Sequence, residues 1–109
     1  MGRKLIFYIS NMEINVEVLS HKEITNKLKE TEGWIFNGND IGKEFPLADF
    51  KSALSFVNKI GAEAEKIDHH PDIFLHSWNK VKITISTESA GGVTQDDFKL
   101  AERIEAIPK

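Results

Sequence analysis

The stretch Val81-Lys82-Ile83-Thr84-Ile85-Ser86 alternates apolar and polar residues without a break. Successive side chains on a strand point to opposite faces, so this pattern predicts a strand with one buried and one wet face. A sheet built on such a strand needs an apolar cover on one side only, and the other segments can supply it. Phe74 to Trp78 reads as the preceding strand, joined through a tight connection at Asn79-Lys80. Upstream, Trp34-Ile35-Phe36 and Ile41 to Phe45 flank Asn37-Gly38-Asn39-Asp40. Asn-Gly is the strongest short hairpin signal. Pro46 ends the return strand because it has no N–H to donate.

Three helices are signalled. Ser20 with Glu23 makes a capping box, opening a helix with Ile24, Leu28 and Thr31 on one face and Gly33 at its end. A second helix runs from near Ala48 to about Ile67. Its core stripe is read as Phe50, Leu54, Val57, Gly61 and Ala64, with Ala53 and Ile60 beside it. Gly61 on that stripe costs about 1 kcal/mol relative to alanine, which suggests close packing against the sheet. Thr94 with Asp97 opens a third helix to about Ile107, with Phe98, Ala101 and Ile104 inward and Pro108 beyond. The order helix, hairpin, helix, hairpin, helix contains no repeating parallel crossover. It predicts an α+β domain: a four-stranded antiparallel sheet with three helices packed on one face. Residues 19–109 form this domain. Residues 1–18 read as an N-terminal extension that can add a strand, since Ile14, Val16 and Val18 alternate and Leu5 to Ile9 is apolar.

Composition excludes several function classes. With no cysteine, the chain has no disulfide, thiolate catalysis or cysteine-based zinc site, and a reducing, cytoplasmic location is expected. A net charge of −3 with scattered lysines argues against nucleic-acid binding. The Leu5–Ile9 run is too short to span a bilayer and lacks a cleavage pattern, so neither a membrane anchor nor a signal peptide is expected.

Chemistry concentrates in Glu65-Lys66-Ile67-Asp68-His69-His70-Pro71-Asp72. Histidine can give and take a proton near pH 7. Pro71 pushes His70 into extended backbone, so the second helix ends just before the pair. The helix C-terminus favours the imidazolium form of His69. One ring can address a reacting bond while the other orients a ligand. The competing readings are ordinary surface or capping histidines, and a metal site drawing on Glu65, His69, Asp72 and His76. The latter spacing matches no recognised zinc motif. Phe74, His76 and Trp78 share a strand face by period two, either to stack on a flat heterocycle or to fill a core or interface.

Taken in order, Glu65-x3-His69-His70-Pro71, Trp78, Asn79-Lys80-Val81, Ser86-Thr87 and Ala90-Gly91-Gly92-Val93-Thr94 through Asp97 resemble the signature of pterin-4a-carbinolamine dehydratases. Gly33-Trp34, Phe45, Asp49-Phe50 and Ala53 to Val57 extend the likeness over about 90 residues, Leu19 to Ile107. The resemblance implies loss of water from a 4a-hydroxytetrahydropterin to give the quinonoid dihydropterin, in recycling of tetrahydrobiopterin-type cofactors after aromatic hydroxylation. It implies no metal and no organic cofactor. By position, His69 becomes an acid/base residue and His70 mainly binds and orients the pterin. Glu65 and Asp97 match flanking carboxylates, and Asp68, Pro71 and Trp78 complete the expected substrate-binding set. The family's third histidine should follow Ser86-Thr87, where this chain has Glu88. An ordinary glutamate carboxyl, near pKa ~4.3, accepts a proton readily at pH 7 and donates one poorly. The expected catalytic set is therefore His69, His70 and Glu88. Free sheet edges favour a homodimer or homotetramer formed through sheet edges or helices. The alternative function is a catalytically weak paralogue that serves as a pterin-binding or protein-binding dimerisation module.

Overall fold

The computed structural model describes the backbone of residues 3–9 and 12–109, and side chains from Glu17 onward. Strands β1 (Arg3–Ile9) and β2 (Met12–Val18) pair antiparallel as a separate two-stranded sheet. The expected strand alternation of Ile14 and Val16 lies outside the described side chains. Beyond β2, Leu19 is buried and its N–H donates to the Val93 carbonyl at 2.8 Å.

Helix α1 (His21–Leu28) starts on the expected capping box. The Glu23 N–H donates to Ser20 Oγ at 3.2 Å, and the Ser20 N–H to Glu23 Oε1 at 3.0 Å. Gly33 does not end this helix. The last turn closes at Leu28 through donation from Glu30 N–H to the Lys27 carbonyl and from Thr31 N–H to the Leu28 carbonyl. Gly33, at φ +86°, instead makes the reversal that sends Trp34 into the core.

Strands β3 (Ile35–Phe36) and β4 (Ile41–Pro46) form the first hairpin, around Gly38 at φ +96°. Helix α2 spans Phe50–Ile67, capped by Asp49, whose carboxylate accepts the Ser52 N–H at 2.8 Å. Strands β5 (Asp72–His76) and β6 (Lys80–Ile85) form the second hairpin. The connection is not Asn79-Lys80. It turns at Ser77 and Trp78, both left-handed at φ +48° and +60°. A short 3₁₀ turn (Glu88–Ala90) leads to helix α3 (Gln95–Glu105). The hairpins join through β4 and β6, giving the antiparallel order β3-β4-β6-β5.

The alternation read in β6 fixes the layers. Val81, Ile83 and Ile85 are fully buried and meet Ile41, Phe45, Phe56, Ile60, Phe98 and Ile104 in one core. Trp34, Phe45 and Phe56 pack edge to face, with centroids 6.1 and 5.1 Å apart. The α+β architecture agrees with the expected class, an antiparallel four-stranded sheet with the helices on one face.

The facing of α2 differs from expectation. Its buried residues are Ala53, Phe56, Ile60 and Ala64, while Phe50 and Leu54 are 49% and 46% exposed. Apolar residues run in one continuous arc from Phe56 through Ile60 and Ala53 to Phe50 and Leu54, so two neighbouring stripes satisfy helical spacing. The sheet takes the stripe holding Phe56 and the small Ala53 and Ala64, which permit close approach. Gly61 accordingly does not pack on the sheet: a methyl placed there meets no atom within 4 Å. Gly61→Ala is expected to raise unfolding free energy by roughly 0.5–1 kcal/mol. Urea denaturation should show a higher midpoint at unchanged slope, and a lower midpoint would mean that something covers this face.

Candidate active site

The end of α2 places the histidine pair. Asp68 adopts the left-handed conformation (φ 51°, ψ 45°), its N–H returning to the Ala64 and Glu65 carbonyls. The His69 N–H also donates to the Ala64 carbonyl, at 3.1 Å. This reversal stops the helix and swings His69 toward the start of α3. Pro71 then commits the chain to β5.

His69, His70 and Asp68 line one cleft with Asp72, Thr84, Ser86, Thr87, Glu88 and Ser89, enclosing about 280 Å³. Two elements form opposite walls: the α2–β5 junction and the β6 end with its 3₁₀ turn. The cleft thus unites His69, His70 and Glu88, which lie far apart in sequence. Asp72, weighed above only as a metal ligand, also lines it, with Thr84, Ser86 and Ser89, which were given no role there. The signal for Thr84 and Ser86 was present, since both occupy the polar phase of β6 opposite Val81, Ile83 and Ile85.

Behind the cleft lies a buried polar network. His69 Nε2 is 2.6 Å from Asp97 Oδ1. Asp97 Oδ2 accepts the Thr94 N–H at 2.7 Å and the Thr87 hydroxyl at 2.9 Å. Thr87 Oγ1 and Thr94 Oγ1 are 2.7 Å apart. Thr94 and Asp97 form the capping box read from sequence. Asp97 was expected among the substrate contacts, but it is 0% exposed and absent from the cleft lining. Its carboxylate has no open surface and reaches the cleft only through its contact with His69. Burial pushes its carboxyl above the ordinary carboxylate value. Hydrogen bonds from His69, the Thr94 N–H and Thr87 oppose that shift.

His70 is held differently. Its Nε2 contacts the Glu65 carboxylate on the exposed last turn of α2. That hydrogen bond, with the nearby charges of Glu65 and Asp68, raises the His70 pKa above 6.5. The imidazolium therefore persists to higher pH. Its stabilising effect is full below pH 6.5 and is lost as pH rises through the folded value. The pair is exposed, so the effect on stability is small. Glu65→Gln is expected to lower the His70 titration midpoint toward 6.5, followed by NMR of the ring protons. An unmoved midpoint would remove Glu65 from this role.

Pro71 follows the pair without lining the cleft. Trp78 is 60% exposed in the β5–β6 turn, at the opposite end of β5 from Asp72, so this chain does not bring it to the cleft. The extended backbone of β5 separates them. Phe74 stacks on His76 at 4.8 Å, and His76 Nε2 lies 2.5 Å from Glu44 Oε1, which ties this cluster to β4. Among the described residues no three His, Cys, Asp or Glu side chains gather as a metal cage. No described helix is long and apolar enough to cross a membrane.

Comparison with known proteins places this geometry. The family model described as pterin 4 alpha carbinolamine dehydratase matches residues 17–107. A Roseiflexus protein named provisionally as a pterin-4-alpha-carbinolamine dehydratase is 45% identical over 89 residues, covering 82% of this chain and 95% of its own. A Sulfolobus acidocaldarius protein, so named on the same footing, is 42% identical over 89 residues, with 82% and 97% coverage. The crystal structure of a transcriptional coactivator/pterin dehydratase from Brucella melitensis superposes with a TM-score of 0.76 at 35% identity, covering 82% of this chain and 96% of that one. A pterin dehydratase-like protein described as a RuBisCO assembly factor in the alpha-carboxysome shares the fold, with a TM-score of 0.58 at 22% identity over 69% of this chain and 88% of that one.

Proposed function

The chain belongs to the pterin-4-alpha-carbinolamine dehydratase family, and we propose that it dehydrates a 4a-hydroxytetrahydropterin to the quinonoid dihydropterin by general acid–base catalysis. The observation that supports this most directly is the pairing of two histidines with separate carboxylates, His69 with buried Asp97 and His70 with exposed Glu65, at one cleft that also holds Glu88.

The reaction breaks the C4a–O bond, and the leaving hydroxyl takes a proton to depart as water. N5 gives up its proton as the C4a=N5 bond forms. With Nε2–H donated to Asp97, His69 acts as the imidazolium, whose Nδ1–H protonates the leaving oxygen. Glu88 is exposed at the cleft and accepts the N5 proton. His70 binds and orients the pterin, with Asp68 beside it. No step draws on a metal or organic cofactor. A cytoplasmic place in pterin recycling follows as part of the same reading.

The test is disappearance of 4a-hydroxytetrahydropterin as a coupled hydroxylase generates it. A rate no faster than the spontaneous loss would refute the proposal.

A second reading has its own support. Phe50 and Leu54 on α2, Ile35 on β3, and Phe74 and Trp78 on the β5 edge hairpin are large apolar side chains left exposed. They suit self-association through helices or the sheet edge, as a homodimer or homotetramer. With Glu88 in place of a third histidine, the domain would then serve as a pterin-binding or protein-binding dimerisation module. Two structural relatives are described by partner roles, one as a transcriptional coactivator and one as an assembly factor. Calorimetry with a reduced pterin separates the readings: binding without turnover favours the module, and turnover favours the enzyme.

A further inference from the structure

We propose that Thr87 is a positioning residue of this site: its hydroxyl fixes the carboxylate that orients His69, while its backbone fixes the turn that presents Glu88. The kinetic part of this inference rests on the dehydratase reading; the structural part does not.

The hydrogen-bond directions follow from counting protons. Thr94 Oγ1 caps α3 by accepting the Asp96 N–H at 3.3 Å. Its single hydroxyl proton is then available to Thr87 Oγ1, 2.7 Å away. Thr87 thereby accepts from Thr94 and donates its own proton to Asp97 Oδ2 at 2.9 Å. Oδ2 also takes the Thr94 N–H, which leaves Oδ1 to His69 Nε2. Each buried hydroxyl makes both contacts, so the chain runs one way, from the α3 cap to the imidazole.

The same residue organises the other wall. The Thr87 N–H donates to the Gly92 carbonyl at 3.0 Å, and the Thr87 carbonyl accepts from the Ala90 and Gly91 N–H groups, each at 3.0 Å. Those bonds close the turn whose first residue is Glu88. Thr87 therefore couples the placement of Glu88 to that of His69, 19 positions before it in the chain. Its β-branched side chain suits the end of β6, and its hydroxyl supplies a bond that valine, of similar shape, cannot.

Thr87→Val and Thr87→Ser separate this role from simple packing. In Thr87→Val, Asp97 loses one of the hydrogen bonds that oppose the effect of its burial. Its carboxyl carbon should titrate at higher pH in a ¹³C experiment, and the His69 Nε2–H proton signal should broaden or vanish. Asp68 and His70 beside His69, Glu65 on α2, Asp72 on β5 and Glu88 on the turn are unchanged in these variants, so the shift reads the network itself. With 4a-hydroxytetrahydropterin as substrate, kcat should fall about tenfold or more with KM nearly unchanged, since a hydrogen bond to a charged group is lost. The acid limb of the kcat profile should move to higher pH. Thr87→Ser should restore the NMR signals and the profile.

If Thr87→Val fails to fold, Thr87→Cys, similar in size and a weak donor, carries the same measurements. A variant without the hydroxyl that keeps the wild-type Asp97 titration and His69 signal would overturn the inference. Equal impairment of the Ser and Val variants would do so as well, because restoring the hydroxyl would then restore nothing. If the wild-type chain turns over no pterin, the dehydratase reading fails while the NMR titrations still decide the role of Thr87.

Discussion

Asp97→Asn is expected to lower kcat by about 10²–10⁴-fold, the range attributed to a general acid–base group, while leaving the domain folded. The asparagine carbonyl can take over both bonds of Oδ2, accepting the Thr94 N–H and the Thr87 hydroxyl. Its amide group then faces His69 Nε2, and an amide N–H is only a donor. Nε2 must then accept, so the ring is held neutral, and the imidazolium that donates from Nδ1 loses the carboxylate that stabilises it. The imidazole keeps its place and loses its function. Stability should follow the opposite course. Burial raises the Asp97 carboxyl above 3.8, so the folded state binds this proton more readily than the unfolded chain. Stability from this group is therefore full below pH 3.8 and declines as pH rises through the folded value. Asparagine carries no charge to bury and removes that decline. Urea unfolding between pH 4 and 8 should give a flatter dependence and, at neutral pH, a midpoint no lower than wild type. A kcat within threefold of wild type would show that Asp97 does not set the state of His69.

That opposition between stability and activity explains what could be read in the sequence and what could not. Local rules carried far. The alternation of β6 fixed which side of the sheet is wet, and the Ser20–Glu23 and Thr94–Asp97 caps marked two helix starts. Pro71 placed the end of α2 before the histidines, although the residue that reverses the chain is Asp68, left-handed without being glycine. Failures arose where two local solutions were equally good. Helix α2 has two apolar stripes, and only the sheet chooses between Phe50-Leu54 and Phe56-Ile60. Asp97 showed a similar ambiguity. As the third residue of α3 it is legible as a cap, but one carboxylate oxygen suffices for that bond. That the other oxygen meets an imidazole 28 positions earlier is tertiary information. Thr87 was hidden for the same reason: a strand-end threonine carries no local mark of what its hydroxyl meets. Trp78 is the converse case, a residue with a promising position in the linear pattern that extended backbone carries to the far end of the hairpin.

Glu88→His is expected to raise kcat/KM for 4a-hydroxytetrahydropterin by about tenfold or more, a modest share of what a well-matched acid–base group supplies. The argument begins with structural cost. Glu88 is exposed, and among the described residues its carboxylate has no hydrogen-bond partner. The bonds that hold its turn belong to the backbone of Thr87, Ala90, Gly91 and Gly92. Exchanging the side chain disturbs none of them, so stability should change by no more than about 0.5 kcal/mol. The chemical gain is specific. An imidazole near neutrality can take the N5 proton and return one, whereas an ordinary carboxylate at pH 7 only accepts. On the dehydratase reading, the wild-type chain then draws the donated proton from His69 alone. With histidine at 88, both walls can exchange protons, and the pH–rate profile should gain a limb near neutrality. Initial rates across pH 5.5–8.5, with binding of an unreactive oxidised pterin measured alongside, resolve the alternatives. A gain in kcat at constant affinity identifies the carboxylate as the limit on turnover. A fall in both rate and affinity would mean that the cleft is built around the negative charge of Glu88, and that its substrate presents an N–H or a cation to meet it.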